Sequence, residues 1–248
     1  MKIDEFPNLS DFKDVSAGQT CLIVGNGPSL RKTPLDKLLH FDSFAMNRIS
    51  KIFSRTRWRP TFVSCVTTNV SNPEWKQDIE VSRDLGTPFF LWDKLAADLA
   101  PDHNTYLLNC TNGEQNRSEP EDGWWSWDPQ SRVTKYGSSI IVPFQLAAYF
   151  GYKRIVLVGC DLGFRDTKTQ RLLKKYGRKD LALKLDRNHF TRNYGTPGWK
   201  PEVMNLTMLG AHKLAARMCQ KAGIEIVNAS VGGDLTIHSR QPVESFFS

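Results

Sequence analysis

The feature that most constrains the fold is a series of short apolar segments that each end at glycine or asparagine. Three segments follow this pattern: residues 20–25 (TCLIVG), a run that ends at Asn47 and another that ends at Asn69. Runs of this length are typical of strands buried in a parallel sheet. Residues 87–92 and 105–109 are further strand candidates. The amino-terminal half therefore predicts several strands of one sheet.

Helical segments separate these strands. Residues 33–39 offer an N-cap, a proline at the first helical position and leucines on one face, which predicts a short helix. An apolar helical run that ends near Gly151 is followed by a buried strand, IVLVG, that leads to Asp161. A helix near 201–222 and a strand at 224–228 come last. This alternation predicts an α/β fold, a mostly parallel sheet with helices on both faces.

Composition agrees with one domain over residues 1–248. The chain is 40% hydrophobic and 24% charged, which excludes wholesale disorder. No apolar run approaches the roughly 18–20 residues of a membrane span, and the acidic amino terminus does not resemble a signal peptide. Five cysteines without metal spacing predict reduced thiols and a cytoplasmic setting.

Two insertions interrupt the predicted domain. Residues 111–134 form a long polar segment that carries Trp124, Trp125 and Trp127. These tryptophans either pack against the domain or form a platform or lid at a ligand site, and the sequence leaves both interpretations open. Residues 165–200 begin with a basic stretch and are interpreted as a mobile, partly helical, lid-like excursion.

The charge balance favours anionic partners. The net charge of +7 suits phosphates, acidic sugars or a membrane surface. The basic residues occur along the chain without an aromatic-interleaved RNA motif, so nucleic acid is not an expected partner. The charge and the apolar tail Phe246-Phe247 together suggest peripheral contact with the inner membrane.

A turn with the sequence GNGPS follows the first strand, at the sheet edge where α/β proteins bind ligands. Its glycines let a phosphate approach the backbone, and free N–H groups and a serine hydroxyl can donate to it. The same sequence is also a common tight turn, but its position after a strand favours nucleotide binding. The predicted ligands are Gly25, Asn26, Gly27 and Ser29.

Other strand and helix ends supply further candidates. Asn47 and Asn69 suit a base edge, a ribose or a sugar hydroxyl, or they simply terminate strands. Ser138 and Ser139 at a helix start suit a phosphate or carboxylate, although Ser138 also fits an N-cap. Asp161 is a candidate cap, substrate ligand or base.

One histidine is singled out as a general base. His189 lies in a polar segment with glycine and proline, and imidazole is well suited to remove a proton from a hydroxyl near neutral pH. The other histidines are interpreted as having only helix ends or loops around them: His40, His103, His212 and His238. No HxH, HExxH or Cys/His cluster suggests a metal site.

In this order, the motifs resemble the bacterial family 42 sialyltransferases and the wider group of DUF115-type proteins. Residues 23–30 are similar to the first nucleotide loop of that family, and 44–47 and 68–69 resemble its next strand ends. Residues 138–161 resemble its serine–helix–strand–Asp unit, and 188–190 (NHF) lie where the family keeps its catalytic histidine.

The resemblance implies a Rossmann-like fold of the variant GT-A type and an inverting, metal-independent glycosyltransferase that can be a homo-oligomer. The donor would be a CMP-activated sialic acid or related acidic sugar, the acceptor a glycan or glycolipid, and no cofactor or metal would be needed. His189 would be the general base. Six residues would line the donor: Asn26, Gly27, Asn47, Asn69, Ser138 and Ser139.

The chain departs from that family in two places. Tyr136, with Lys135 beside it, stands where the family has an arginine. After Asp161, residues 162–165 (LGFR) stand where the family has tyrosines that assist the departing phosphate. Arg165, Lys168 or Tyr194 are candidates to compensate for these tyrosines.

Two other functions compete with glycosyl transfer. Some DUF115-type proteins are pterin diphosphokinases that transfer pyrophosphate from ATP. That chemistry needs Mg²⁺ and therefore carboxylates, for which Asp161 and Asp166 are the nearest candidates. A non-catalytic module that binds glycan through the tryptophan loop is the third interpretation.

Overall fold

The structure, a computed structural model, describes residues 7–113, 119–195 and 199–248. The strands of this part of the chain are β1 Thr20–Val24, β2 Asp42–Met46, β3 Phe62–Cys65, β4 Phe89–Trp92, β5 Thr105–Leu108, β6 Cys110–Asn112, β7 Val133–Lys135, β8 Arg154–Val158, β9 Glu225–Asn228 and β10 Ser239–Arg240. Its α-helices are α1 Pro73–Arg83, α2 Ile141–Tyr149, α3 Lys168–Lys175, α4 Lys179–Lys184 and α5 Pro201–Lys221.

Eight strands form one parallel sheet in the order β10-β9-β8-β1-β2-β3-β4-β5. The chain runs outward from β1 to β5 in one direction and from β8 to β10 in the other. The order therefore reverses between β1 and β8, which creates a crevice at their carboxyl ends where ligands of such sheets bind. The predicted Rossmann-like α/β fold is confirmed.

An aromatic layer covers one face of the sheet. Phe44, Phe62 and Phe90 come from adjacent strands, and their rings contact one another across the strands. Phe12 and Phe150 stack on each other at 4.7 Å and pack over this row. These rings bury much of the apolar surface that holds the strands in place.

The predicted strands are confirmed, except that the third stops at Cys65 and Asn69 lies in the 3-10 turn Thr68–Ser71 that follows it. One helix prediction is wrong. Residues 33–39 contain only a three-residue 3-10 turn, Leu35–Lys37, which follows another 3-10 turn at Pro28–Lys32. Pro34 has no N–H to donate and lies between the two turns, so no α-helix continues through it. The sequence interpretation also missed α1, although Asn72 caps its start by accepting the N–H groups of Glu74 and Trp75.

The tryptophan segment 111–134 packs against the domain. Residues 114–118 lie outside the described part, and the two ends of the segment pair as β6 and β7. Trp125 is buried, Trp124 contacts Tyr136, and Trp127 is half exposed. Trp124 and Trp125 thus pack against the domain, and a ligand role for Trp127 stays a prediction.

In the second insertion, residues 165–200, the described part contains α3 and α4, and residues 196–198 lie outside it. The mobility of this insertion stays a prediction.

The apolar tail at the carboxyl end is not a free membrane contact. Phe246 is buried, and the guanidinium of Arg154 lies 5.3 Å from its ring. The proposed role of Phe246-Phe247 in membrane contact is therefore wrong, because the first ring belongs to the core. No helix in the described residues is long and apolar enough to cross a membrane. The five cysteines are buried and unbridged.

Candidate functional site

A cleft of about 330 Å³ lies at the carboxyl ends of β1, β2, β3 and β8, beside the start of α2. It occupies the crevice where the strand order reverses. Most of the site residues predicted from the sequence line it: Gly25, Asn26, Gly27, Asn47, Asn69, Ser138, Ser139, Asp161, His189 and Tyr194. The fold thus gathers residues from six separate segments into one site.

The turn after β1 is clamped onto the end of β8. The N–H of Gly25 donates to the Val158 carbonyl at 2.8 Å, and that of Gly27 donates to the Gly159 carbonyl at 2.8 Å. Added Cβ atoms at these glycines would lie 2.4 and 2.7 Å from the Gly159 oxygen. The glycines are therefore required for close backbone packing. The expectation that their N–H groups are free for a phosphate is wrong.

Asp161 completes this clamp. Its Oδ2 accepts the N–H of Ser29 at 2.9 Å, and its backbone oxygen accepts those of Asp234 and Leu235. Burial raises the pKa of the Asp161 carboxyl, although the bond from Ser29 opposes that shift. The structure therefore gives Asp161 a positioning role at the floor of the cleft.

Two asparagines present unpaired oxygens at the cleft. Asn26 donates from Nδ2 to the Met46 carbonyl at 3.2 Å, and its Oδ1 is buried without a partner among the described residues. Asn47 Oδ1 is also buried and unpaired in this part of the chain. Asn47 has a left-handed backbone, with φ of 54°, and such strain is concentrated at functional sites. Because an unsatisfied buried acceptor is costly, both oxygens suit ligand hydroxyl or amino donors.

The start of α2 has no side-chain cap. Ile140 is its N-cap residue, so the interpretation of Ser138 as the cap is wrong. The carbonyls of Ser138 and Ser139 accept the N–H groups of Ile141 and Val142, while both side chains line the cleft. The hydroxyls and the positive end of the helix can therefore bind an anion together.

Lys135 is a functional candidate to which the sequence interpretation gave no role. It is the one lysine or arginine among the described residues that line the cleft. Its ammonium lies 5.2 Å from the Trp92 ring, and burial lowers its pKa. The signal that could have identified it is its position at the end of β7, just before the serine pair.

His189 is held in the cleft by its own segment. Its Nδ1 lies 2.7 Å from Oδ2 of Asp186, and the N–H of Phe190 donates to the Asn26 carbonyl at 3.0 Å. Burial alone would raise the pKa of Asp186, but hydrogen bonds from His189 and Asn188 outweigh it and the pKa is lowered. An ionised Asp186 accepts a hydrogen bond from the Nδ1–H group, which leaves Nε2 as the basic nitrogen.

The surroundings of His189 correct the sequence interpretation. Its segment is mostly polar, yet the ring is buried among aromatic side chains from this segment and from other parts of the chain. Tyr194 stacks on it at 4.3 Å, and Phe164 and Trp199 pack at its edges. Asp186 was missed, although the Asp-x-x-His spacing in the sequence is a usable signal.

The backbone of Tyr194 is held in place by the buried side chain of Arg48. Arg48 donates to the carbonyls of Asn193 and Tyr194 and forms an ion pair with Asp78 at 2.6 Å. The Tyr194 hydroxyl is buried and has no partner among the described residues. Burial raises its pKa, so it stays protonated and can donate to a ligand oxygen.

Three predicted residues lie outside the cleft. Ser29 and Arg165 line a neighbouring hollow, where Arg165 donates to Asp234 at 2.7 Å. Lys168 is exposed at the start of α3. Arg165 and Lys168 are thus not placed to contact a phosphate in the cleft. The reason is that the chain turns away after Asp161, through left-handed Leu162 and Gly163.

Two other histidines were also misjudged. His212 and His238 are buried, lie 3.1 Å apart through Nδ1 and Nε2, and pack on Phe144. Burial lowers the pKa of both, that of His238 to about 4. They form a neutral buried pair, and His212 lines the rear of the cleft. Within the described ranges, no group of three or more His, Cys, Asp or Glu side chains could hold a metal ion.

Comparison with protein families matches residues 1–167 to the model of the 6-hydroxymethylpterin diphosphokinase MptE-like family. The chain belongs to this family. The comparison with curated proteins gives no match. The stated resemblance to DUF115-type proteins is confirmed.

Solved structures extend the likeness of this MptE-like chain. The sialyltransferase CstII from Campylobacter jejuni, solved with the substrate analogue cytidine-5'-monophosphate, matches with a TM-score of 0.53 and 12% identity, over 94% of this chain and 88% of that one. The MAf glycosyltransferase from Magnetospirillum magneticum AMB-1 matches with a TM-score of 0.54 and 13% identity, over 96% of this chain and 38% of that one. At these identities the matches show a shared glycosyltransferase-like fold.

Proposed function

We propose that this protein is an inverting, metal-independent glycosyltransferase that moves an acidic sugar from a CMP-activated donor to a glycan or glycolipid. One observation carries the proposal. His189, which is hydrogen-bonded to Asp186, lines the same cleft as Asn26 and Asn47, whose oxygens are unpaired among the described residues, and the uncapped start of α2. A base and a set of nucleotide ligands thus face one space. CstII, which shares the fold, was solved with CMP.

The donor would lie along the strand ends. Asn26 and Asn47 would accept hydrogen bonds from ribose hydroxyls or from the amino group of the base. The phosphate would lie at the start of α2, where Ser138 and Ser139 donate and Lys135 supplies a positive charge. Lys135 takes the role that the sequence interpretation assigned to Arg165 and Lys168, since it is the lysine or arginine that the described part of the chain places at the cleft. Tyr194 would donate to a phosphate or sugar oxygen.

The acceptor hydroxyl would be activated by His189. As its oxygen attacks the anomeric carbon, Nε2 takes the hydroxyl proton and the bond to the CMP phosphate breaks. The bonding electrons leave with CMP, whose added negative charge is stabilised at the start of α2. Asp186 holds the imidazole in the tautomer that keeps Nε2 basic and stabilises the imidazolium that forms.

A second candidate function rests on the family match. A pterin diphosphokinase would bind ATP with Mg²⁺, which takes carboxylate ligands. Asp161 is the one carboxylate in the described lining of the cleft, and Ser29 already donates to it. The donor set therefore supports glycosyl transfer better than a magnesium-dependent transfer.

Turnover of CMP-activated sugars tests the proposal. Purified protein, incubated with CMP-linked acidic sugars and a mixture of glycan acceptors, is expected to release CMP at the same rate with and without EDTA. Release of AMP from ATP with a hydroxymethylpterin, abolished by EDTA, would instead establish the diphosphokinase. A His103→Ala variant, altered at an exposed histidine far along the sequence from the site, is the control for handling of the protein.

A further inference from the structure

The net positive charge of the protein is concentrated in one short stretch, residues 165–187, here called the α3–α4 segment. It contains nine lysines and arginines against three aspartates, a net charge of +6 within a chain whose total is +7. Two of these cations are paired, Arg165 with Asp234 and Lys174 with Asp166. Among the described residues, the other seven have no ion-pair partner.

The same segment exposes large apolar side chains. Leu172 and Tyr176 are 54% and 70% exposed, and Leu181 and Leu185 are 45% and 38% exposed. Each pair has i, i+4 spacing, so its two members lie on one side of the turn that carries them. Exposed leucine and tyrosine surrounded by unpaired lysine and arginine are typical of helices that lie in the interface of an anionic membrane.

Hydrogen bonds within the α3–α4 segment and to its neighbours give it a defined structure. Thr167 and Gln170 form a capping box at the start of α3, and the buried Gln170 also donates to the Ala182 carbonyl of α4. Lys174 donates to Asp166 and to the Trp199 carbonyl. These bonds hold the two helices against each other and against the rest of the domain, while the apolar side chains stay outside.

We infer that the α3–α4 segment docks the protein on an anionic lipid surface. Charge complementarity favours a lipid surface as the partner of this segment. Seven of its lysines and arginines have no ion-pair partner among the described residues, and they can bind the negative phosphates of lipid headgroups. The exposed apolar side chains would enter the boundary between headgroups and acyl chains. This inference does not depend on the transfer chemistry.

Docking would also determine where acceptors come from. Gln170, Ala182 and Leu183 line a small pocket together with His189 and Asp186, so the segment adjoins the base. A docked segment would hold His189 close to the membrane surface. Given the proposed function, the acceptor is then a lipid-linked glycan rather than a soluble one.

Vesicle flotation tests the docking. Wild-type protein is expected to float with vesicles of phosphatidylcholine and phosphatidylglycerol and to stay behind with phosphatidylcholine alone. Each basic residue near an anionic surface strengthens binding by about fivefold. The triple variant Arg171→Glu, Lys175→Glu, Arg178→Glu is therefore expected to bind at least about a hundredfold more weakly. A matched charge control is Lys13→Glu, Lys37→Glu, Arg55→Glu, all at exposed positions outside the segment.

The apolar contribution is tested separately. Leu172→Ser with Tyr176→Ser is expected to abolish the binding that survives at high salt, where charge attraction is screened. Val15→Ser with Leu39→Ser, which removes apolar side chains that are 58% and 51% exposed outside the segment, should not abolish it. Equal binding by segment and control variants, or no flotation of the wild type, overturns the inference.

A dimer in sedimentation that the Leu172 and Tyr176 changes dissociate, without vesicle binding, would assign the surface to a second copy instead. CMP affinity, measured in parallel, shows independently whether the donor site is correct.

Discussion

Replacing His189 with alanine is expected to lower the rate of sugar transfer by about 10²–10⁴-fold, the usual contribution of a positioned general base. The affinity for CMP should stay within about twofold, because the nucleotide ligands come from β1, β2 and α2. The measurement is kcat with a saturating CMP-sugar donor, together with CMP affinity for both proteins. Full transfer by the alanine variant would exclude His189 as the base.

The Asp186→Asn variant distinguishes a role of Asp186 in positioning His189 from a role in stabilising the fold. The amide keeps the shape of the carboxylate but donates to Nδ1, which favours the wrong tautomer of His189. We expect about 10²-fold loss of kcat or more, and a changed dependence of kcat on pH, at nearly unchanged stability. A variant that is merely unstable would instead lose activity and CMP binding together. His103→Ala should leave kcat, its pH profile and CMP affinity unchanged.

The second large effect is expected at Gly25. An alanine Cβ there would lie 2.4 Å from the Gly159 carbonyl oxygen, and that oxygen is backbone, where β8 ends. The two strands at the reversal of the sheet must then move apart. Overpacking of this kind costs about 3 kcal/mol of unfolding free energy. In a chain of this size, that loss lowers Tm by roughly 6–12 °C.

A matched glycine shows whether the effect is local. An added Cβ at Gly123 meets no atom within 4 Å, and its backbone is not left-handed. Gly123→Ala is therefore expected to change Tm by less than about 2 °C, since surface substitutions usually change stability by less than about 0.5 kcal/mol. Scanning calorimetry of both variants makes the comparison. Equal Tm values for Gly25→Ala and wild type would show that the turn and β8 are not tightly packed.

The sheet could be predicted from the sequence because each strand is a local signal. The runs that end at Gly25 and Asn47 are short, apolar and bounded by residues that end strands, so position and type could both be predicted. For the run that ends at Asn69 only the type could be predicted, since β3 stops at Cys65. Because the carboxyl ends of parallel strands lie at one edge of the sheet, the residues that follow these strands were predicted to lie together, and the cleft is at that edge. The helix α1 was missed because its exposed face leaves few apolar residues to mark it.

Contacts between distant segments could not be read in the same way. The N–H groups of the first turn looked free, because their acceptors in Gly159 and Asp161 lie more than 130 residues away. His189 appeared to lie in polar surroundings, since Phe164 and Trp199 reach it only in the fold. Whether Arg165 and Lys168 reach the cleft depends on the backbone direction after Asp161, and no local pattern fixes that direction.

The most direct test of the central claim is a calorimetric titration of CMP into the protein in the presence of EDTA. The proposed site predicts saturable binding of one CMP per chain, with affinity reduced about tenfold when Lys135 becomes glutamine, since a charge-assisted bond to the phosphate is lost. No heat from CMP, together with binding of ATP that requires Mg²⁺, would contradict the proposed donor site and favour the diphosphokinase.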